Sequence, residues 1–109
     1  RDKIKRPLMA SVAYNLSNQV ILTSDNPRSE NPDTIIEDMM SSLDPVQIKK
    51  VLVITDRRQA IRTACRLANA NDIVLVAGKG HEKHQEINGK KFPFDDLEEL
   101  KQSLNILKN

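Results

Sequence analysis

Val20-Ile-Leu-Thr-Ser-Asp-Asn-Pro-Arg-Ser-Glu30 begins as an apolar run of strand type and stops at a polar loop, Asp25-Asn26-Pro27-Arg28. A run this apolar suits a strand at the centre of a sheet, buried on both faces. A loop carrying an acid, an amide and a guanidinium at its end presents ligand-binding groups at the strand's C-terminal edge. Open α/β sheets bind their ligands at that edge. Asp, Asn and Pro are also ordinary turn residues. A capped turn and a ligand loop are both open readings here.

The flanking sequence supplies the rest of an α/β layout. Upstream, Pro7 suits the first turn of a helix. Leu8, Met9, Val12, Ala13 and Leu16 recur at helical spacing and are expected to face inward, with Ser17-Asn18 ending the helix. Downstream, Asn31 is the expected N-cap and Pro32 the first helical residue. Ile35, Ile36, Met39, Met40 and Leu43 form the buried stripe, and Asp44-Pro45 breaks it. Val51-Leu-Val-Ile-Thr55 reads as a second strand. Asp56 then caps a helix with Ala60, Ile61, Ala64, Cys65, Leu67 and Ala68 on one face. Arg57, Arg58, Arg62 and Arg66 read as its solvated face, or as a greeting for phosphate. Asp72 leads into Ile73-Val-Leu-Val-Ala77, the third and most apolar predicted strand. The repeating order predicts a mostly parallel sheet flanked by helices, with right-handed crossovers.

The last third changes character. Gln85, Ile87, Phe92 and Phe94 alternate with polar residues around Asn88-Gly89, a β-hairpin signal. Asp95 and Glu98 resemble a capping box, and Leu97, Leu100, Leu104 and Leu107 stripe a terminal helix.

A length of 109 residues fits one domain. A formal net charge of +2 is too small to predict nucleic-acid binding. No apolar run approaches the ~20 residues of a membrane span, and the charged start lacks a signal-peptide core. The single cysteine, Cys65, excludes an internal disulfide and reads as a buried thiol in a reducing compartment, so a cytoplasmic location is expected. The loop-like opening, Arg1-Asp-Lys-Ile-Lys-Arg6 without Met, reads as the middle of a longer protein.

A second candidate loop, Gly78-Lys-Gly-His-Glu82, follows the third predicted strand. Its glycines allow a close backbone approach, and Lys79 can meet an anion. It is not a Walker A loop, because the spacing differs and no Ser or Thr follows the Lys. His81, Glu82 and His84 miss the spacing of a helical zinc motif by one residue, so no metal site is expected. Cys65 is a poor nucleophile, being buried in pattern and without an adjacent base.

Parallel strands would bring both loops to one sheet edge. Arg28 can pair bidentately with a carboxylate there, and Glu82 can accept from an ammonium. That pairing suits a zwitterion such as an amino acid, with the basic segment around Arg1 offering a further carboxylate contact. A nucleotide- or phosphate-binding module using Gly78–Gly80 and the arginine-bearing helix is the alternative, and a purely structural domain is a third reading.

Three stretches resemble the C-terminal domain of the MurE ligases of peptidoglycan synthesis. They are Arg1-Asp-Lys-Ile-Lys-Arg-Pro-Leu-Met9, Thr23-Ser-Asp-Asn-Pro-Arg-Ser-Glu30 and Ala77-Gly-Lys-Gly-His-Glu82. Ile4 and Ala10 stand where many members have Gly. The resemblance implies a Rossmann-like fold whose first strand lies upstream of Arg1, and makes residues 1–109 the amino-acid-binding domain of a three-domain enzyme. It implies an ADP-forming ligase that adds meso-diaminopimelate to UDP-MurNAc-L-Ala-D-Glu through an acyl phosphate. ATP and Mg2+ would be held mainly by a central domain, leaving no cofactor and no catalytic residue on this piece. The implied meso-diaminopimelate contacts are Arg1, Asn26, Arg28, Gly78 and Glu82, with Asp25 and Pro27 shaping the loop. An upstream first strand would leave this piece with an exposed sheet edge, a template for dimerisation.

Overall fold

Short polar side chains start four of the described helices, three of them where the sequence places them. The structure, a computed structural model, describes residues 5–79 and 82–108. Asn31 accepts from the Asp33 N–H at the start of α2 (Pro32–Met40), with Pro32 in the first turn. Asp44 and Gln47 form a reciprocal capping box on a one-turn helix, α3 (Pro45–Ile48), that the Asp-Pro break had concealed. Asp56 caps α4 (Arg57–Leu67) through the Gln59 N–H. Asp95 accepts from the Leu97 N–H as α5 (Asp96–Lys108) begins.

Two short apolar strands make the parallel sheet. β1 (Val20–Leu22) pairs with β2 (Val51–Val53), Val20 opposite Val51 and Leu22 opposite Val53. The Ile54 N–H donates to the Leu22 carbonyl and the Ser24 N–H to the Thr55 carbonyl, carrying the alignment into the loop beyond. β3 (His84–Ile87) and β4 (Lys90–Pro93) form the expected antiparallel hairpin. Its two-residue turn, Asn88-Gly89, has positive φ at both positions (51° and 79°), as a primed turn requires.

Among the described residues the core has two parts. Ala10 of α1 (Lys5–Leu16), Val20, Leu22, Ile36, Leu43 and Val51 bury one cluster, with Met39 and Met40 packed against it. Ile61, Cys65 and Phe94 bury the other, flanked by Val76 and Leu100. The α2 stripe therefore faces inward as its spacing predicts.

Three expectations differ. Ile73–Ala77 is not a strand: among the described residues, 72–77 join no hydrogen-bonded ladder. Its alternation survives, with Val74 and Val76 half-buried while Ile73 and Leu75 are 94 % and 85 % exposed. Apolar alternation selects an extended backbone, but a strand also needs a neighbour to hydrogen-bond. On α1, Leu8, Met9, Val12 and Leu16 point outward, and the buried face carries Arg6 and Ala10. On α5 only Leu100 of the leucine stripe packs inward, and the buried residues are Asp96, Glu99 and Ser103. They meet arginines of α4 rather than solvent: Arg57 pairs with Asp96 and Arg58 with Glu99. The arginine face of α4 is thus partly an internal ion-paired seam.

Candidate functional site

The Asp25–Arg28 loop is built as a bracket between the sheet and the hairpin. The Thr23 and Ser24 hydroxyls both donate to the Thr55 carbonyl, fixing the loop's start against the segment that follows β2 (3.1 and 3.0 Å). Asp25 Oδ1 accepts the N–H of the next residue, Asn26, at 2.6 Å. Asn26 is 1 % exposed and uses both ends of its amide across the site. Its Nδ2 donates to Glu82 Oε1 at 2.9 Å, and its Oδ1 accepts the Glu86 N–H at 2.8 Å. Pro27 is fully buried beside it.

Arg28 has φ of 57°, in the left-handed region that non-glycine residues avoid. Two backbone bonds hold it there. Its N–H donates to the Glu86 carbonyl (2.8 Å), and its carbonyl accepts the Asn88 N–H (2.6 Å). The side chain is 46 % exposed, with Nε 3.9 Å from the Glu86 carboxylate. At that distance and exposure the pair is weak, so the guanidinium is available to a better anion.

The second loop closes on the first. Gly78 has φ of 110°, and a methyl there would lie 3.6 Å from the Asp25 carboxylate, an ordinary contact. Backbone conformation, rather than lack of space, requires the glycine. Lys79 is buried, its ammonium donating to the His84 carbonyl and lying 5.9 Å from the centre of the Phe94 ring. This withdraws Lys79 from the phosphate-binding alternative, which is left with the arginines of α4. Glu82 is half-buried and shares its carboxylate with Asn26.

Asp25, Asn26, Pro27, Arg28, Gly78 and Glu82 therefore come together; Arg1, Gly80 and His81 lie outside the described residues. Two side chains to which the sequence reading gives no part in the site support it; that reading assigns Arg57 to a solvated or phosphate-facing surface. Buried Arg6 forks onto Glu30 (3.2 and 2.5 Å) and reaches Asp38 (3.1 Å), tying α1 and α2 to the end of the loop. The hydrogen bond to Glu30 raises its pKa further above an already high value. Arg57 is the other; its place directly after the cap of α4, at the end where the loops meet, was its only signal. A cavity of about 470 Å³ lies alongside, lined by Ser24, Pro27, Thr55, Arg58, Gln85 and Phe94 among others, but not by Asn26, Gly78 or Glu82. The two loops thus present charged groups on an open surface: a guanidinium for an anion and a carboxylate for a cation.

A family model described as Mur ligase, glutamate ligase domain, matches residues 1–80. The UDP-N-acetylmuramoyl-L-alanyl-D-glutamate–2,6-diaminopimelate ligase of Bacteroides thetaiotaomicron is 58 % identical over 105 residues, covering 96 % of this chain and 22 % of that protein. The ligase of the same name from Parabacteroides distasonis is 60 % identical over 102 residues (94 % and 21 %). That from Aquifex aeolicus is 47 % identical over 104 residues (95 % and 21 %). A solved structure of such a ligase superposes with a TM-score of 0.91 at 46 % identity, covering 100 % of this chain and 22 % of that one. The chain spans about a fifth of the length of these relatives.

Proposed function

The chain belongs to the Mur ligase family, and from that premise we propose that residues 1–109 form the C-terminal, amino-acid-binding domain of an ATP-dependent ligase. The whole enzyme would add meso-diaminopimelate to UDP-MurNAc-L-Ala-D-Glu in the cytoplasm. The observation that carries this reading is the Asn26–Glu82 hydrogen bond beside an exposed Arg28: opposite charges offered from one hydrogen-bonded unit. Diaminopimelate ends in an ammonium and a carboxylate at a carbon remote from its reacting amine. Glu82 suits that ammonium, and Arg28 suits that carboxylate in a bidentate pair. Arg1 would contribute a second carboxylate contact.

ATP and Mg2+ supply activation of the acceptor carboxylate in this reading. Among the described residues no three His, Cys, Asp or Glu side chains converge to hold a metal ion. The chain's own share is to bind and orient the incoming amino acid, and alone it would be inactive. No described helix is long and apolar enough to cross a membrane. In isolation the chain would also self-associate through an exposed sheet edge.

Kinetics of the whole ligase test the assignment. Lysine lacks the remote carboxylate and leaves Arg28 without its anion, so diaminopimelate should be used far better. Arg28→Ala should raise KM for diaminopimelate about tenfold or more, the worth of a charged hydrogen bond, with KM for ATP nearly unchanged. Equal use of lysine and diaminopimelate by the unmodified enzyme would sink the reading.

A further inference from the structure

One buried guanidinium touches the root of both site loops. Arg57 is 2 % exposed and is the first residue of α4, where a cation opposes the positive end of the helix dipole. Asp96 compensates it with two parallel bonds, Nε to Oδ1 at 2.8 Å and Nη2 to Oδ2 at 2.6 Å. The remaining donors do not cap α4, which Asp56 already does. Nη1 donates to the Ser24 carbonyl and Nη2 to the Ala77 carbonyl, each at 3.1 Å. Ser24 immediately precedes Asp25, and Ala77 immediately precedes Gly78. The guanidinium is planar and rigid, so carbonyls bound to its two Nη atoms are held at a fixed separation.

We propose that Arg57 is a positioning residue that sets the spacing between the Asp25–Arg28 and Gly78–Glu82 loops. Through that spacing it fixes how the ligand's two charges are met. The proposal rests on the amino-acid reading of the site for its kinetic consequence, but not for its structural one. Asn26 and Glu82 can hydrogen-bond across the gap only if the loop roots stay in register. A lysine at position 57 keeps the charge on a flexible stem, and its point-like ammonium cannot hold the carboxylate and both carbonyls in one plane.

The test compares Arg57→Lys with Ile61→Val in the whole ligase. The second variant trims the core face of the same helix, beside Cys65 and Phe94, and Ile61 has no polar atom to hydrogen-bond either loop. Steady-state kinetics, thermal unfolding and amide hydrogen exchange are read for both. Arg57→Lys should raise KM for diaminopimelate about tenfold, a typical effect of misplacing a bound group, while KM for ATP stays within about twofold. Exchange should quicken together at Asn26, Gly78 and Glu82. Ile61→Val should lower the melting temperature and change neither KM nor loop exchange. If Arg57→Lys does not fold, Asp96→Asn replaces it, with the same direction expected at smaller size. Arg57 is overturned as a positioning residue if its variant loses stability while both loops exchange as before. If the unmodified ligase does not use diaminopimelate, the amino-acid reading falls and the exchange data still decide the clamp.

Discussion

Arg28 sits in a conformation that its own side chain disfavours. A left-handed backbone costs a non-glycine residue about 1–2 kcal/mol, and the bonds to Glu86 and Asn88 impose it here. Strain of this kind gathers where a side chain must be aimed. The cost can be separated from the guanidinium's role. Arg28→Ala and Arg28→Gly both remove the charge, but only glycine relaxes the backbone. The glycine variant should be more stable than the alanine variant by about 1 kcal/mol in urea unfolding. Equal stabilities would mean that the bracket relaxes once the guanidinium is gone. The residue types of the loop were legible because Asp, Asn, Pro and Arg stand together after an apolar run. The twist at Arg28 was not, since arginine carries no preference for it and its cause lies in the hairpin 58 to 60 residues later.

Elements whose buried faces are apolar were legible, and those held by charge were not. α2 follows its isoleucine and methionine spacing, and the hairpin follows Asn88-Gly89. α1 and α5 turn differently because their buried faces include Arg6, Asp96 and Glu99, each ion-paired to another helix or loop. Periodicity arguments assign such residues to solvent. The loop and hairpin are joined by the same kind of polar contact, which Asn26 provides from both ends of one amide. Asn26→Asp keeps the shape but places an oxygen against Glu82 Oε1, where a donor now sits at 2.9 Å. Two carboxylates facing each other in a buried position should cost about 2–4 kcal/mol at neutral pH. Burial and the like charge both raise the pKa of the introduced carboxyl. The penalty should therefore be greatest above that pKa and shrink as the pH falls through it. Urea midpoints at pH 7 and pH 5 measure both parts, and a pH-independent loss would show that the new carboxylate has swung away from Glu82.

At the scale of the whole molecule, the apolar surface is unevenly placed. Ile73 and Leu75 are almost fully exposed on a segment that joins no ladder, and among the described residues β1 pairs only with β2. The apolar run was legible at 73–77, yet its neighbour was not, because a sequence shows that a strand wants a partner and not where the partner is. Burying Ile73 and Leu75 gives roughly 1.5–3 kcal/mol each, or about 6–12 kcal/mol for the four side chains of two copies. Association costs about 4–15 kcal/mol in lost freedom, so the balance favours a weak dimer rather than a tight one. Light scattering of the isolated chain should show its mass rising with concentration in the high-micromolar range. Ile73→Lys with Leu75→Lys should abolish the rise, because it removes the apolar side chains and sets like charges against each other across the contact. Substituting Leu8 and Leu16 on the outward face of α1 should leave it in place. If the α1 variant becomes monomeric and the edge variant does not, the contact runs through the helix face. If the unmodified chain scatters as a monomer throughout, two copies do not satisfy this edge.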